Sequence, residues 1–187
     1  QISKTLKADF PERCITHLMD READDSAYFE LIDKELNDLF IFRLKTNRNS
    51  DVAYLSEETG RERKVKLHHK PFENEATYIF DKFVYKGKCY QQVQAKMSWE
   101  RQWLGTGQYT VIRVELFQRT GRRLFAKPMM LVTNYSIQGE ETVLHVFQTY
   151  LKRSKIEGVF KFLKNELGWE DFQVRNFLAI KNIILLG

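Results

Sequence analysis

Apolar and polar positions along the chain change period several times, and each change marks an element. Residues 14–19 (CITHLM) form a short strand-like run that ends at Asp20. From Ala23 to Leu36 the apolar positions take helical spacing, which predicts a helix with Tyr28, Leu31, Ile32 and Leu36 on one face. Leu39 to Leu44 (LFIFRL) is a short apolar run bounded by polar residues, the pattern of a buried strand. Strand, helix and strand in that order open an α/β unit.

From Thr46 the character changes. Residues 46–70 are polar and charged, and short apolar runs separated by turn signals follow. Thr77 to Tyr85 and Cys89 to Ala95 flank Lys86-Gly87-Lys88. Tyr109 to Gln118 alternates, with Ile112, Val114 and Leu116 on one side. Arg119-Thr120-Gly121-Arg122 is a turn, and Leu124 to Thr133 returns. This is antiparallel hairpin material. One helix is predicted from Thr142 to Leu167. A second, from Asp171 to Leu186, carries Val174, Phe177, Leu178, Ile180 and Ile184, with a break at Gly168-Trp169. The fold class expected is therefore α/β. Its core comes in two parts, 1–45 and 128–187, interrupted by a β-rich insertion over 46–127.

A chain of 187 residues can bury a proper core in one domain, and 43% hydrophobic with 13% aromatic residues excludes a disordered polymer. The net charge of +5 and a pI near 9.1 suit an anionic partner. The cations cluster in Arg61–Lys70, Arg119–Lys127 and Lys152–Lys164. Cys14 and Cys89 lack metal spacing and are too few for a disulfide framework, so both are expected as buried thiols of a reducing cytosol. The N-terminal QISKTLKADF has no signal-peptide pattern. The longest apolar stretch, Phe177 to Leu186, is interrupted by Lys181 and Asn182 and is too short to span a bilayer. A cytoplasmic protein with no membrane partner is expected. The chain begins at Gln1 and stops within an apolar run, so a piece of a longer protein is expected.

Candidate chemistry concentrates in two motifs. In the predicted Thr142–Leu167 helix, Tyr150, Arg153, Glu157 and Lys164 stand at the spacing Y-x2-R-x3-E-x6-K. At roughly 100° per residue all four fall within an arc of roughly 60°. An apolar arc of Ile156, Val159, Phe160, Leu163 and Leu167 lies beside it. One acid among bases suits a metal ion held next to an anionic polymer. The ordinary alternative is an Arg153–Glu157 ion pair on a solvated face. The second motif is Asp20-Arg21-Glu22-Ala23-Asp24, where a strand leads into a helix. A carboxylate at the C-terminal edge of a strand stands where α/β sheets place their ligands. The ordinary alternative here is an acidic helix start. Taken together, two such carboxylates suit phosphoryl transfer on nucleic acid, which is often run by two divalent ions about 4 Å apart held by hard oxygen donors. Trp99 and Trp103 are expected as core of the insertion, with base stacking as the alternative. His68-His69 has no partners at metal spacing and is expected to be solvated, and Gly105-Thr106-Gly107 reads as a turn.

The pair DREAD and Y-x2-R-x3-E-x6-K resembles the bacterial insertion-sequence transposases of the DDE class, which have a ribonuclease-H-like catalytic core. The resemblance covers essentially the whole chain, including the strand Leu131-Val132-Thr133-Asn134 and an insertion placed before the Glu-bearing helix. It implies that Asp20 and Glu157 are the second and third acids of a catalytic triad. Both would bind Mg²⁺, with Mn²⁺ able to substitute. It implies further that Tyr150, Arg153 and Lys164 hold the backbone of transposon-end DNA, with Arg21 as a further DNA contact. The activity implied is DNA cleavage and strand transfer in transposition. The partners implied are double-stranded DNA, as transposon ends and target, and a second copy in a synaptic homodimer. The setting implied is the bacterial cytoplasm and nucleoid. Two departures stand out. The strand-borne first acid has no counterpart upstream of Asp20, because Asp9 and Glu12 flank Pro11, so the chain alone is expected to be catalytically incomplete. Ser154 occupies the position where the family usually has Trp. A non-catalytic DNA-binding remnant and a plain α/β domain with a fortuitous motif are the alternative readings.

Overall fold

In a computed structural model that describes residues 2–55, 62–85 and 87–166, helix α1 (Ile2–Asp9) precedes strand β1 (Thr16–Met19). β1 runs parallel to β2 (Leu39–Arg43), in register from Thr16↔Leu39 to Met19↔Phe42. The crossover between them is helical but not one helix. Arg21–Ala23 is a 3-10 turn, α2 covers Ser26–Glu30, and Leu31–Glu35 is a π-helical turn closed by Leu36 N–H donating to Leu31 O at 3.0 Å. Asn37, at φ 49, then ends the helix in the left-handed conformation that Asn tolerates.

This broken path corrects the expected helical face. Phe29 and Ile32 are buried, whereas Tyr28 and Leu31 are 48% and 37% exposed. The Phe29 ring decides the face: it stacks on Phe40 at 5.5 Å and meets Phe42 and Tyr109 edge-on at 5.5 and 5.9 Å.

The remaining strands are β3 (Asn49–Leu55), β4 (Glu62–Lys66), β5 (Asn74–Tyr85), β6 (Lys88–Leu104), β7 (Gly107–Phe117) and β8 (Met129–Thr133). Six strands form one sheet in the order β1-β2-β8-β7-β6-β5, and β3 pairs with β4 separately. Only the β1–β2 pair is parallel within the six-stranded sheet. The segment 46–127 thus makes no sheet of its own, apart from β3–β4. Its long strands β5, β6 and β7 extend the sheet of β1, β2 and β8 through the β7–β8 pairing, Val111↔Val132. The architecture is mixed α/β with a core made mostly of sheet.

Both faces of the central strands are covered. On one face Ile41, Ile112, Val114, Leu116 and Leu131 pack with Val143, Val146, Phe147 and Tyr150 of α3 (Glu140–Leu151). On the other, Phe40, Phe42, Tyr109, Val111 and Val132 pack with Phe29 and Ile32.

The helix expected over Thr142–Leu167 is two helices, α3 and α4 (Arg153–Glu166), separated at Lys152. The chain divides into two compact units at the same place, Gln1–Leu151 and Lys152–Gly187. Side-chain chemistry accounts for the break without proline or glycine. The buried stripe Val143, Val146, Phe147, Tyr150 would continue at 154 and 157, which are Ser154 and Glu157. In one uninterrupted helix the apolar arc of Ile156 to Leu167 would lie roughly 135° away from that stripe. Val159, from that arc, is 55% exposed.

Cys14 and Cys89 are both exposed, not buried as expected. Cys14 lies in the link before β1, and Cys89 stands at the start of β6 beside the β5–β6 turn, so neither reaches the core. The second helix expected from Asp171 to Leu186 lies outside the described residues. Among the described residues no helix is long and apolar enough to cross a membrane.

Candidate functional site

Asp20 follows β1 directly, at the C-terminal edge of a parallel strand. It is half-buried, and its Oδ1 accepts from the Glu22 N–H at 3.1 Å, capping the 3-10 turn. Arg21 is the first residue of that turn and is exposed. The other aspartates of the motif region are also engaged. Asp25 caps α2 by accepting from the Ala27 N–H at 3.0 Å. Asp24 accepts from the Lys45 N–H at 2.7 Å and is paired with the Arg48 guanidinium, whose other arm donates to Ser26 Oγ at 2.7 Å. The ordinary reading of the motif, an acidic helix start, therefore describes what these carboxylates do locally. They also tie the loop after β1 to the loop after β2.

In the second unit, α4 places Arg153, Glu157 and Lys164 on one helix. At 100° per residue their positions share an arc of roughly 40°. The side chains of Glu157 and Lys164 lie outside the described residues, while that of Arg153 is half-buried. Tyr150 is on the other helix, α3. It is 5% exposed and packs into the apolar cluster, so it belongs to the core stripe and not to the basic one.

The described residues do not complete a divalent-metal centre. Asp20 offers a carboxylate that already caps a turn, and no three His, Cys, Asp or Glu side chains among the described residues are placed to hold an ion. His68 and His69 are adjacent, with ring centroids 4.0 Å apart. His69 is exposed, but His68 is half-buried, and its Nδ1 finds no hydrogen-bond partner. Burial is the first cause holding the His68 pKa below its ordinary value, followed by the charges of His69, Lys66 and Lys127. Trp99 is half-buried against the α3-side cluster, whereas Trp103 is 51% exposed.

Two further sites emerge that the sequence did not signal. A polar cavity of about 780 Å³ is lined by Asp33, Trp99, Arg101, Thr110, Thr133 and Asn134, among others. It lies at the end of β8 that faces the start of β2, since Ile41 pairs with Thr133 and Phe40 N–H donates to Asn134 Oδ1 at 2.9 Å. Asp20 stands at the opposite end of the strands. The second site is Asp38, a buried acid. It takes Lys7 Nζ at 2.6 Å, His17 Nε2 at 2.9 Å and the Ser3 hydroxyl, and so anchors α1 to the start of β2.

The chain matches no protein-family model and no curated protein sequence.

Proposed function

We propose that the chain is part of a DDE-class DNA transposase, carrying most of a ribonuclease-H-like core and acting in DNA cleavage and strand transfer at transposon ends. The observation that supports this best is the placement of Arg153, Glu157 and Lys164 along one face of a single helix. Those positions carry one acid between two cations in sequence, the combination that brings a carboxylate to a phosphodiester and also holds it. Asp20, at the C-terminal edge of a parallel strand, supplies the second carboxylate of the reading. In this reading Asp20 and Glu157 hold Mg²⁺, and Arg153, Lys164 and Arg21 hold the DNA backbone. Tyr150, the fourth residue of the DNA-holding set in this reading, stands near the end of α3 and is 5% exposed. Double-stranded DNA and a second copy of the chain are the partners.

The reading is tested by the salt dependence of duplex-DNA binding. Arg153→Ala and Lys164→Ala should each weaken binding and make the log–log salt slope shallower by about 0.9, the loss of one phosphate contact. Wild-type binding that ignores salt would remove the reading.

A second reading, a non-catalytic DNA-binding remnant, is favoured by one observation: Asp20, Asp24 and Asp25 already serve as caps and an ion pair. It predicts the same binding without carboxylate-dependent metal uptake.

A further inference from the structure

Two of the three cationic clusters in the sequence, Arg61–Lys70 and Arg119–Lys127, take no part in the α4 motif. The described part of the first, residues 62–70, and the whole of the second lie within the first unit, toward the end of the sheet where Asp20 stands. The contacts run continuously from the Asp20 loop. Asp24 holds Arg48, and Arg48 O accepts from the Leu67 N–H at 3.0 Å. Next in the chain is His68, whose pKa is held below its ordinary value first by burial and then by the charges of His69, Lys66 and Lys127. Arg113 Nη1 ties this segment to β7 by donating to Lys70 O at 3.0 Å and His68 O at 3.4 Å. Lys127 lies just ahead of β8, whose start is fixed beside the end of β2 by Leu44 N–H donating to Met130 O at 2.8 Å.

The same face continues along β7, where Arg113, Glu115 and Phe117 alternate onto one side. Lys96 and Arg123 both sit over the Phe117 ring, at 5.4 and 5.8 Å. Beyond it the turn at Gln118–Arg122, closed by Gln118 N–H to Arg122 O at 2.8 Å, holds Arg119 and Arg122 out to solvent. Lys66, His69, Lys96, Arg119, Arg122 and Lys127 are all exposed. Acids packed against them are already neutralised: Glu115 by Arg123 at 2.6 Å, and Glu100 by Lys70 at 2.9 Å. Between Arg113 and Phe117 alone the face runs roughly 13 Å, against a phosphate spacing of about 3.4 Å per strand along B-DNA.

We propose that this face is a second docking surface for duplex DNA, separate from the α4 motif and gripping the sugar–phosphate backbone without reading sequence. Cations spread over a sheet face and a short turn are placed to reach phosphates, the contacts that position a duplex without carrying sequence information. The choice of DNA over other polyanions rests on the transposase reading; the cationic face itself does not.

The test measures binding of a labelled duplex to the chain as a function of salt, for two double variants, Lys66→Gln with Lys127→Gln and Arg119→Gln with Arg122→Gln. Each should weaken binding roughly tenfold at low salt and flatten the log–log slope by about 2, equally for duplexes of unrelated sequence. Unchanged thermal unfolding shows that the fold is intact, and the Arg119/Arg122 pair, on an exposed turn, keeps the test valid if the other pair perturbs packing. Wild-type affinity and slope in both doubles would overturn the proposal, whatever Arg153→Ala and Lys164→Ala do. Loss in these doubles with no effect of Arg153→Ala or Lys164→Ala would uphold the surface and remove the α4 assignment. Tighter binding of polyglutamate or duplex RNA than of duplex DNA would overturn the choice of partner.

Discussion

Asn134 Nδ2 donates to Asp33 Oδ1 at 2.7 Å, joining the end of β8 to the π-helical turn across 101 residues of sequence. The same side chain accepts from the Phe40 N–H and donates to Asp38 O, both at 2.9 Å. One amide thus satisfies the backbone where β2 begins and fixes the crossover against the sheet. Asn134→Ala should cost about 2–3 kcal/mol, because backbone groups at a half-buried strand start lose their partner. Urea unfolding of the two proteins measures it, and a loss below about 0.5 kcal/mol would show that water replaces the amide without penalty.

Gly107 and Gly121 should respond differently to alanine. A side chain at Gly107 would overlap the ring of Tyr109, which is 2% exposed and held by Phe40 and Phe29 at 5.3 and 5.9 Å. Burial first, then the charges of Asp33 and Glu30, push the Tyr109 pKa up to about 12, so the phenol stays neutral in its place. Gly121 has open space but sits at φ 79. Gly107→Ala should cost about 2–3 kcal/mol as overpacking, and Gly121→Ala about 1 kcal/mol as backbone strain. Equal losses in denaturation midpoints would contradict the packing account.

Asp38 should give the first unit an acid limb. Burial alone would raise its pKa, but hydrogen bonds from Lys7, Ser3 and His17 outweigh burial and hold it below the ordinary value of 3.8. The unfolded chain therefore takes up the proton first as pH falls. The stabilisation is fully present above the ordinary aspartate range and is lost as pH drops through the folded pKa. Asp38→Asn should be less stable at neutral pH, and its stability should change less than wild type below pH 3.8. Parallel pH profiles for the two proteins would exclude Asp38 as the source.

Glu157→Ala, placed in a parent protein that cleaves DNA, should abolish cleavage and leave end binding largely intact, as cleavage assays and gel shifts on the same preparation would show. Retained cleavage would remove Glu157 from the chemistry.

The parallel strand–helix–strand unit was legible because Leu39–Arg43 is apolar on both sides, as a strand covered by two layers must be. The alternation of Ile112, Val114 and Leu116 likewise found one face of β7, but Tyr109 and Val111 fill the other. Hairpin patterns name a strand's neighbour on one edge only. That β7 uses its second edge to pair with β8, joining strands of segment 46–127 to the main sheet, has no local signature. The break at Lys152 did have one. Ser154 and Glu157 interrupt the stripe of Val143, Val146, Phe147 and Tyr150, and weighing that stripe against the four-residue motif would have exposed it. Asp20 at a strand end was visible in the motif, whereas the partners of Asp38 come from Ser3, Lys7 and His17, which no spacing rule connects.

The central claim is that Asp20 and Glu157 serve one metal site. Electron paramagnetic resonance titration of Mn²⁺ into the chain, with duplex DNA present, tests it through Asp20→Asn, Glu157→Gln and the double variant. The account predicts that each single change weakens Mn²⁺ binding about tenfold or more and that the double adds little further, the non-additivity of two ligands of one site. Losses that simply add, or wild-type Mn²⁺ affinity in either single variant, would contradict it.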